Sequence, residues 1–178
     1  MQATIEDTIV MQKTRDLCET IVQQPEFRQI RERIDVFMND DLAKTQYQEV
    51  MEIMKREPLD FIGVDYAVDA REVEQAILPL AQERKIAVLA YQPFGRTRLW
   101  NRVGDRPVPE YAKEFDATTW AQFFIKWVAS HPAITVVTPA TSQAKNMMDN
   151  LGGGRGRMPD AEMRKRMIAT IEALPAAR

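Results

Sequence analysis

A chain of 178 residues with 45% hydrophobic and 28% charged side chains has the composition of a folded protein rather than a disordered one. Its 24 basic and 26 acidic groups leave a net charge of −2, without the basic excess that holds a nucleic acid backbone. One cysteine, Cys18, and one histidine, His131, exclude an internal disulfide framework, a cysteine-based zinc site and most histidine-dependent catalytic sets. Apolar runs such as 86–91 are too short to span a membrane, and the acidic, polar start lacks the features of a secretory signal. The expectation is a soluble protein of a reducing, cytoplasmic compartment, with no nucleic acid, membrane or metal partner.

Two halves differ in texture. All seven glycines lie at Gly63 or later, and Pro25 is the only proline before Pro58. Residues 1–57 carry 8 basic and 12 acidic groups, and the remainder 16 and 14, so the net charge moves from −4 to +2. This shift marks a boundary near 45–58.

The first half reads as three amphipathic helices. Ile5, Ile9, Leu17 and Ile21 share one helical face, and Pro25 opens a second helix with the stripe Phe27, Ile30, Ile34, Phe37 and Met38. Asn39-Asp40-Asp41 caps a third, whose stripe is Ala43, Tyr47, Val50, Met51 and Met54 and which Pro58 stops. Short helices of this kind make an interaction module or a packing layer. From Leu59 the period changes: strands are expected at 59–67, 86–91 and 133–138, with helices at 71–84, 118–130 and 160–174. Alternating strands and helices are the pattern of parallel β/α units.

In such folds ligands sit in the loops after the strands. Tyr91 closes the second strand and offers a flat face to a planar ligand, or packs. Gly95 allows close backbone approach, and Arg96 and Arg98 offer charge for phosphate. Ser142 lies near a helix N-terminus, as an anion ligand or a plain cap. Asn146, Asp149 and Asn150 follow, with hydrogen-bonding groups suited to an adenine edge. His131 reads as a helix-terminus residue. The glycines at 152–154, with Arg155 and Arg157, read either as a phosphate or RNA loop or, better, as a helix C-terminus with left-handed glycines. No catalytic set emerges from spacing alone.

The landmarks Arg56-Glu57-Pro58-Leu59-Asp60-Phe61, Ile77-Leu78-Pro79-Leu80-Ala81-Gln82-Glu83, 86–95, 120–132 and 137–151, in this order and spacing, resemble the C-terminal part of an aldo-keto reductase. The likeness runs from about Tyr47 to Leu174 and defines a reductase-like segment, 46–178. It implies a partial (β/α) barrel whose three parallel strands would be the sixth, seventh and eighth of eight. It implies NADP(H) as cofactor: Tyr91 would stack on nicotinamide, and Gln92, Pro93, Phe94, Gly95 and Arg96 would run along the pyrophosphate. Ala140 would open the adenosine-phosphate loop, with Ser142 and Asn146 as polar ligands, Asp149 near adenine and Asn150 on its edge. Gly63 stands where many members carry a Gln for the carboxamide, and Gln143 where a basic residue often meets the 2′-phosphate. The family's catalytic Asp, Tyr, Lys and His come from earlier strands, and neither Tyr66 nor His131 matches them.

Residues 1–45 resemble the small helical YlbF/YmcA family through Thr14-Arg15-Asp16-Leu17, Gln24-Pro25-Glu26-Phe27 and Phe37-Met38-Asn39-Asp40-Asp41. The resemblances imply a reductase-family chain, nominally for NADPH-dependent reduction of aldehydes and ketones, that keeps part of the cofactor site and is inactive alone. The alternative is a helical interaction module, acting through residues 1–57, with a non-catalytic reductase remnant. Strands that lack half their barrel are expected to promote self-association.

Overall fold

Thr20 and residues 41–175 are described by the structure, a computed structural model, with side chains from Lys44 onward. The chain separates into two compact units, residues 1–52 and 53–178. The helices expected over 1–40, and the YlbF/YmcA-like motifs there, lie outside the described residues. Helix α1, Asp41–Arg56, matches the third expected helix, and it places Lys55 and Arg56 in its last turn, where cations oppose the negative helix end. Its stripe is only partly sheltered: Met54 is buried, whereas Tyr47 and Val50 are exposed.

The second unit is built on an open sheet of three parallel strands, β1 (Phe61–Asp65), β2 (Ala87–Tyr91) and β3 (Val136–Val137), in the order β1-β2-β3. Phe61 faces Ala87 and Asp65 faces Tyr91 across β1 and β2, while Leu89 faces Val136 and Ala90 faces Val137 across β2 and β3. The three strands occur in the expected order but shorter than the apolar runs suggested. β3 contracts most, although the N–H groups of Thr135 and Thr138 still donate to the carbonyls of Val88 and Ala90 on either side of the ladder.

Crossovers follow the β/α pattern. A 3₁₀ turn, Glu72–Glu74, leads to α2 (Ile77–Arg84), so the helix expected from 71 starts six residues later. Left-handed Lys85 (φ 58°) ends it and turns the chain into β2. Between β2 and β3 lie α3 (Arg98–Val103), a 3₁₀ stretch Glu110–Phe115, and α4 (Trp120–Ala129). The Thr119 hydroxyl caps α4 by accepting from the Gln122 N–H. After β3 come α5 (Ala144–Gly152) and α6 (Ala161–Glu172), the latter capped by Asp160 on the Met163 N–H.

Strand alternation divides the sheet into two unequal faces. Val64, Val88 and Ala90 point into a core shared with Leu78, Phe123, Phe124, Trp127, Met167 and Ile171. The opposite face carries Phe61, Gly63, Asp65, Leu89, Tyr91 and Val136. Of these Phe61 is 62% exposed, Val136 46% and Tyr91 40%. In a closed barrel this face would line the interior.

The glycine run departs from its expected role. α5 does end at Gly152, but Gly153 is right-handed, and of the glycines between 152 and 156 only Gly156 has positive φ (+74°). The triplet instead lets α5 approach α4. A Cβ on Gly152 would lie 2.7 Å from Gln122 Nε2, and one on Gly153 would lie 2.7 Å from Cβ of Ile125. The following loop is fixed from beneath by Lys126, whose buried ammonium donates to the carbonyls of Arg155 and Arg157. Asp116 accepts from the Arg157 N–H and guanidinium, and these bonds hold its carboxyl down to about 2. Arg155 and Arg157 therefore belong to a braced turn, with no phosphate loop leading in from a strand.

Candidate functional site

The carboxyl ends of β1, β2 and β3 lie side by side, because the strands are parallel and adjacent. β2 ends at Tyr91, whose carbonyl accepts from the Tyr66 N–H at 3.0 Å. The Tyr91 ring lies over Gly63 on the neighbouring strand, so that a Cβ there would stand 2.2 Å from its Cε2 and 2.8 Å from its hydroxyl. Glycine at 63 is what lets the ring lie down. One ring face meets β1, and the residue stays 40% exposed on the uncovered side of the sheet.

The loop after Tyr91 is tightly wound. Gln92, Gly95, Arg96 and Thr97 all have positive φ (55°, 58°, 53° and 86°), a region that non-glycine residues rarely occupy. The Gly95 N–H closes the first turn on the Gln92 carbonyl at 2.8 Å. Phe94 anchors the loop against Trp100 and Phe124, with centroids 5.1 and 6.5 Å away. Both arginines offered for phosphate have carboxylate partners. Arg96 Nη2 meets Asp65 Oδ2 at 2.9 Å in an exposed pair, and Arg98 Nε meets Asp69 Oδ2 at 3.1 Å. Asp69 is the more sheltered acid, and its Oδ1 has no hydrogen-bond partner among the described residues.

β3 leads into the second loop, 138–143. The Thr138 hydroxyl donates to the Ala90 carbonyl at 3.1 Å, tying this loop to the strand that ends in Tyr91. The N-cap of α5 is Gln143, without a side-chain capping bond, so Ser142 stands one residue outside and is not the cap. The Gln143 N–H donates to the Thr141 hydroxyl at 3.2 Å. On α5 the three expected ligands have different surroundings. Asn146 is exposed. Asp149 accepts from the Thr119 hydroxyl at 2.9 and 3.0 Å and from Gln122 Nε2 at 2.7 Å, which joins α5 to the start of α4. Asn150 is 6% exposed and lines a cavity of about 460 Å³ bounded by β3, α4 and α5.

Sequence reasoning missed a buried polar cluster on the other face of the sheet. Tyr66 is fully buried, donates its hydroxyl to Glu74 Oε1 and accepts from Arg164 Nη2 at 2.8 Å. Burial, opposed by Arg164, raises its pKa well above the ordinary phenol value. Arg164 also covers the Trp127 ring at 4.1 Å and donates to the Trp127 carbonyl. His131, just past the end of α4, packs edge-on to Tyr66 at 5.7 Å, and its Nδ1 accepts from the Ala133 N–H. Burial and then Arg164 lower its pKa. This cluster joins β1, α4 and α6 beneath the sheet. Only the alternation that turns Tyr66 away from Asp65 signalled it.

Among the described residues no group of three His, Cys, Asp or Glu is placed to hold a metal, and no helix is long and apolar enough to cross a membrane.

No family model matches the chain. It is 23% identical over 145 residues to a probable aldo-keto reductase 1 of Glycine max, across 66% of this chain and 40% of that one. Its fold is similar to an aldo-keto reductase from Bacillus halodurans, in holo and apo forms alike, with a TM-score of 0.52 at 20% identity. That similarity covers 68% of this chain and 46% of the other. The chain thus spans less than half the length of the relatives it matches. These likenesses support a partial aldo-keto reductase relationship, and the open three-stranded sheet with its helices matches part of that family's (β/α) barrel.

Proposed function

We propose that this chain is an aldo-keto reductase segment that retains part of the NADP(H) site, recognises the adenosine end of the cofactor weakly, and reduces no carbonyl by itself. The observation that carries the reading is the register of Ala90 with Val137, which sends the Tyr91 loop and the 138–143 loop out of adjacent strand ends. A dinucleotide needs such neighbouring loops, one for each end.

The residues fit that ligand with altered roles. Tyr91 keeps an exposed side for a nicotinamide ring while its inner face rests on β1. The Gln92, Pro93, Phe94, Gly95 and Arg96 loop suits the pyrophosphate. The exposed Arg96–Asp65 pair is worth about 0–1 kcal/mol, so a phosphate displaces Asp65 at small cost. Ser142 and Asn146 face solvent at the start of α5, and Asn150 offers its carboxamide to a base edge, as Asn does toward adenine. Asp149 positions α5 against α4 and is not a free ligand.

Bound NADPH would supply a hydride; the chain must supply the proton. General acid catalysis contributes about 10²–10⁴-fold, and the acid must reach the reacting oxygen. Tyr66 is buried on the opposite face with a raised pKa, and His131 packs beside it. Tyr91 lies flat against Gly63 and presents its ring rather than its hydroxyl. An assay of NADPH oxidation with several aldehydes should therefore show no steady turnover by the purified chain. Sustained turnover overturns the claim of catalytic incompleteness.

A further inference from the structure

The loop after Tyr91 holds its backbone in an unfavourable form. Gln92, Arg96 and Thr97 take left-handed φ values of 55°, 53° and 86° without being glycine. Residues in that region persist only where their surroundings force them, and they gather at ligand clamps. The supports around this loop are unequal. The Arg96–Asp65 pair is exposed on both sides, and Thr97 enters α3 without a side-chain capping bond. The second charged contact pairs Arg98 with Asp69, whose side chain is only 9% exposed.

Asp69 stands on a braced turn. Val68 and Asp69 are its central residues, and Ala67 and Ala70 close it with mutual backbone bonds of 3.2 and 3.0 Å. Arg71 Nη1 donates to the Val68 carbonyl at 2.7 Å. From this turn one carboxylate oxygen, Oδ2, accepts from Arg98 Nε at 3.1 Å. The other, Oδ1, is buried and has no hydrogen-bond partner among the described residues. A Cβ on Gly95 would stand 2.9 Å from Oδ1 and 3.2 Å from Oδ2. A buried carboxylate oxygen without a donor is costly to folding, so stability alone does not account for this residue. Its placement does: the carboxylate meets Gly95 in the middle of the strained run and Arg98 at its end.

We propose that Asp69 is the positioning residue of this loop: bonded to Arg98 and packed against Gly95, it presets the backbone of 92–97 for a pyrophosphate. The inference rests on the cofactor reading above and deepens it, because a preset loop favours whole dinucleotides over adenosine phosphates that lack the second half. The role is geometric. An amide at this position keeps an oxygen for Arg98 Nε and the same volume against Gly95, whereas a methyl keeps neither.

The test is calorimetry of the full chain with NADP and with 2′,5′-ADP, which lacks the pyrophosphate, alongside amide NMR of the ligand-free protein. Asp69→Ala should lose about tenfold in NADP affinity, since the loop must then be ordered on binding, while 2′,5′-ADP binding stays within about twofold. Asp69→Asn should keep the parent affinity for both, a rescue that a charge effect would not give. In the ligand-free protein, Asp69→Ala should shift the amides of Gly95, Arg96 and Thr97, and Asp69→Asn should leave them in place. Arg98→Ala cuts the same contact from the loop side and serves the same comparison should Asp69→Ala not fold. NADP affinity unchanged in the alanine variants, an equal loss in Asp69→Asn, or a parallel loss of 2′,5′-ADP binding would each overturn the proposal. Should the parent chain bind neither nucleotide, the cofactor reading fails instead, and the amide shifts still decide whether Asp69 sets the loop.

Discussion

The ring of Tyr91 occupies the space that a side chain at Gly63 would need, with only 2.2 Å between its Cε2 and the position of a Cβ. The two residues are on neighbouring strands, two register positions apart, on the sheet face opposite the core. Gly63→Ala is expected to lift the ring off the sheet, because the obstructing atoms are the far end of a half-exposed side chain. Stability should change by less than about 1 kcal/mol, since relief of a strand-interior glycine offsets the lost contact. NOEs between the Tyr91 ring and residue 63 report the outcome. Their persistence in the alanine variant contradicts this account.

Glycines 153 and 154 should behave oppositely. A methyl on Gly153 meets the Cβ and Cγ2 of buried Ile125 at 2.7 Å, which cannot yield without separating α5 from α4. Gly153→Ala is expected to cost about 1–3 kcal/mol by overpacking. At Gly154 the nearest atom is 3.7 Å away, so Gly154→Ala should be near neutral. Urea denaturation of both variants checks this, and equal costs would sink the packing explanation for the triplet.

The fold's outline was legible in the sequence, and its long-range pairings were not. Alternation and β-branched residues located β1 and β2, and the change of period at Leu59 marked the β/α part. β3 kept only Val136 and Val137 as strand residues, although the N–H groups of Thr135 and Thr138 on either side still bond to β2. The arginines after Tyr91 read as phosphate ligands because their partners, Asp65 and Asp69, lie 31 and 29 residues earlier. Asp149 read as an adenine ligand because nothing local shows that Thr119 and Gln122 hold it. The glycine triplet suggested left-handed turns, since close approach by Ile125 leaves no trace in its own neighbourhood.

His131 gives the protein a defined response to mild acid. Burial, then Arg164, hold its pKa below the ordinary 6.5, so below that pH the unfolded chain takes up the proton first. Stability from this residue is complete above about pH 6.5 and is lost as pH falls toward the folded value, by at most about 1.4 kcal/mol per pH unit. It is the chain's only histidine. Denaturation midpoints between pH 7 and 5.5 should therefore fall in the parent chain and flatten in His131→Gln. An identical slope in both would count against the burial argument.

The uncovered sheet face predicts self-association. Phe61, Val136 and Tyr91 place apolar area on one face, and among the described residues edge strands β1 and β3 each pair on one side only. Sedimentation velocity should show concentration-dependent species that decrease in Phe61→Ser with Val136→Ser. A monodisperse monomer at high concentration would contradict this.

Calorimetric titration with 2′,5′-ADP tests the central claim most directly, since this ligand engages only the adenosine end of the proposed site. The parent chain should bind it weakly and saturably, and Ser142→Ala combined with Asn150→Ala should remove that binding. No binding by the parent chain, or the same affinity in the double variant, would contradict the assignment of this segment as a retained cofactor site.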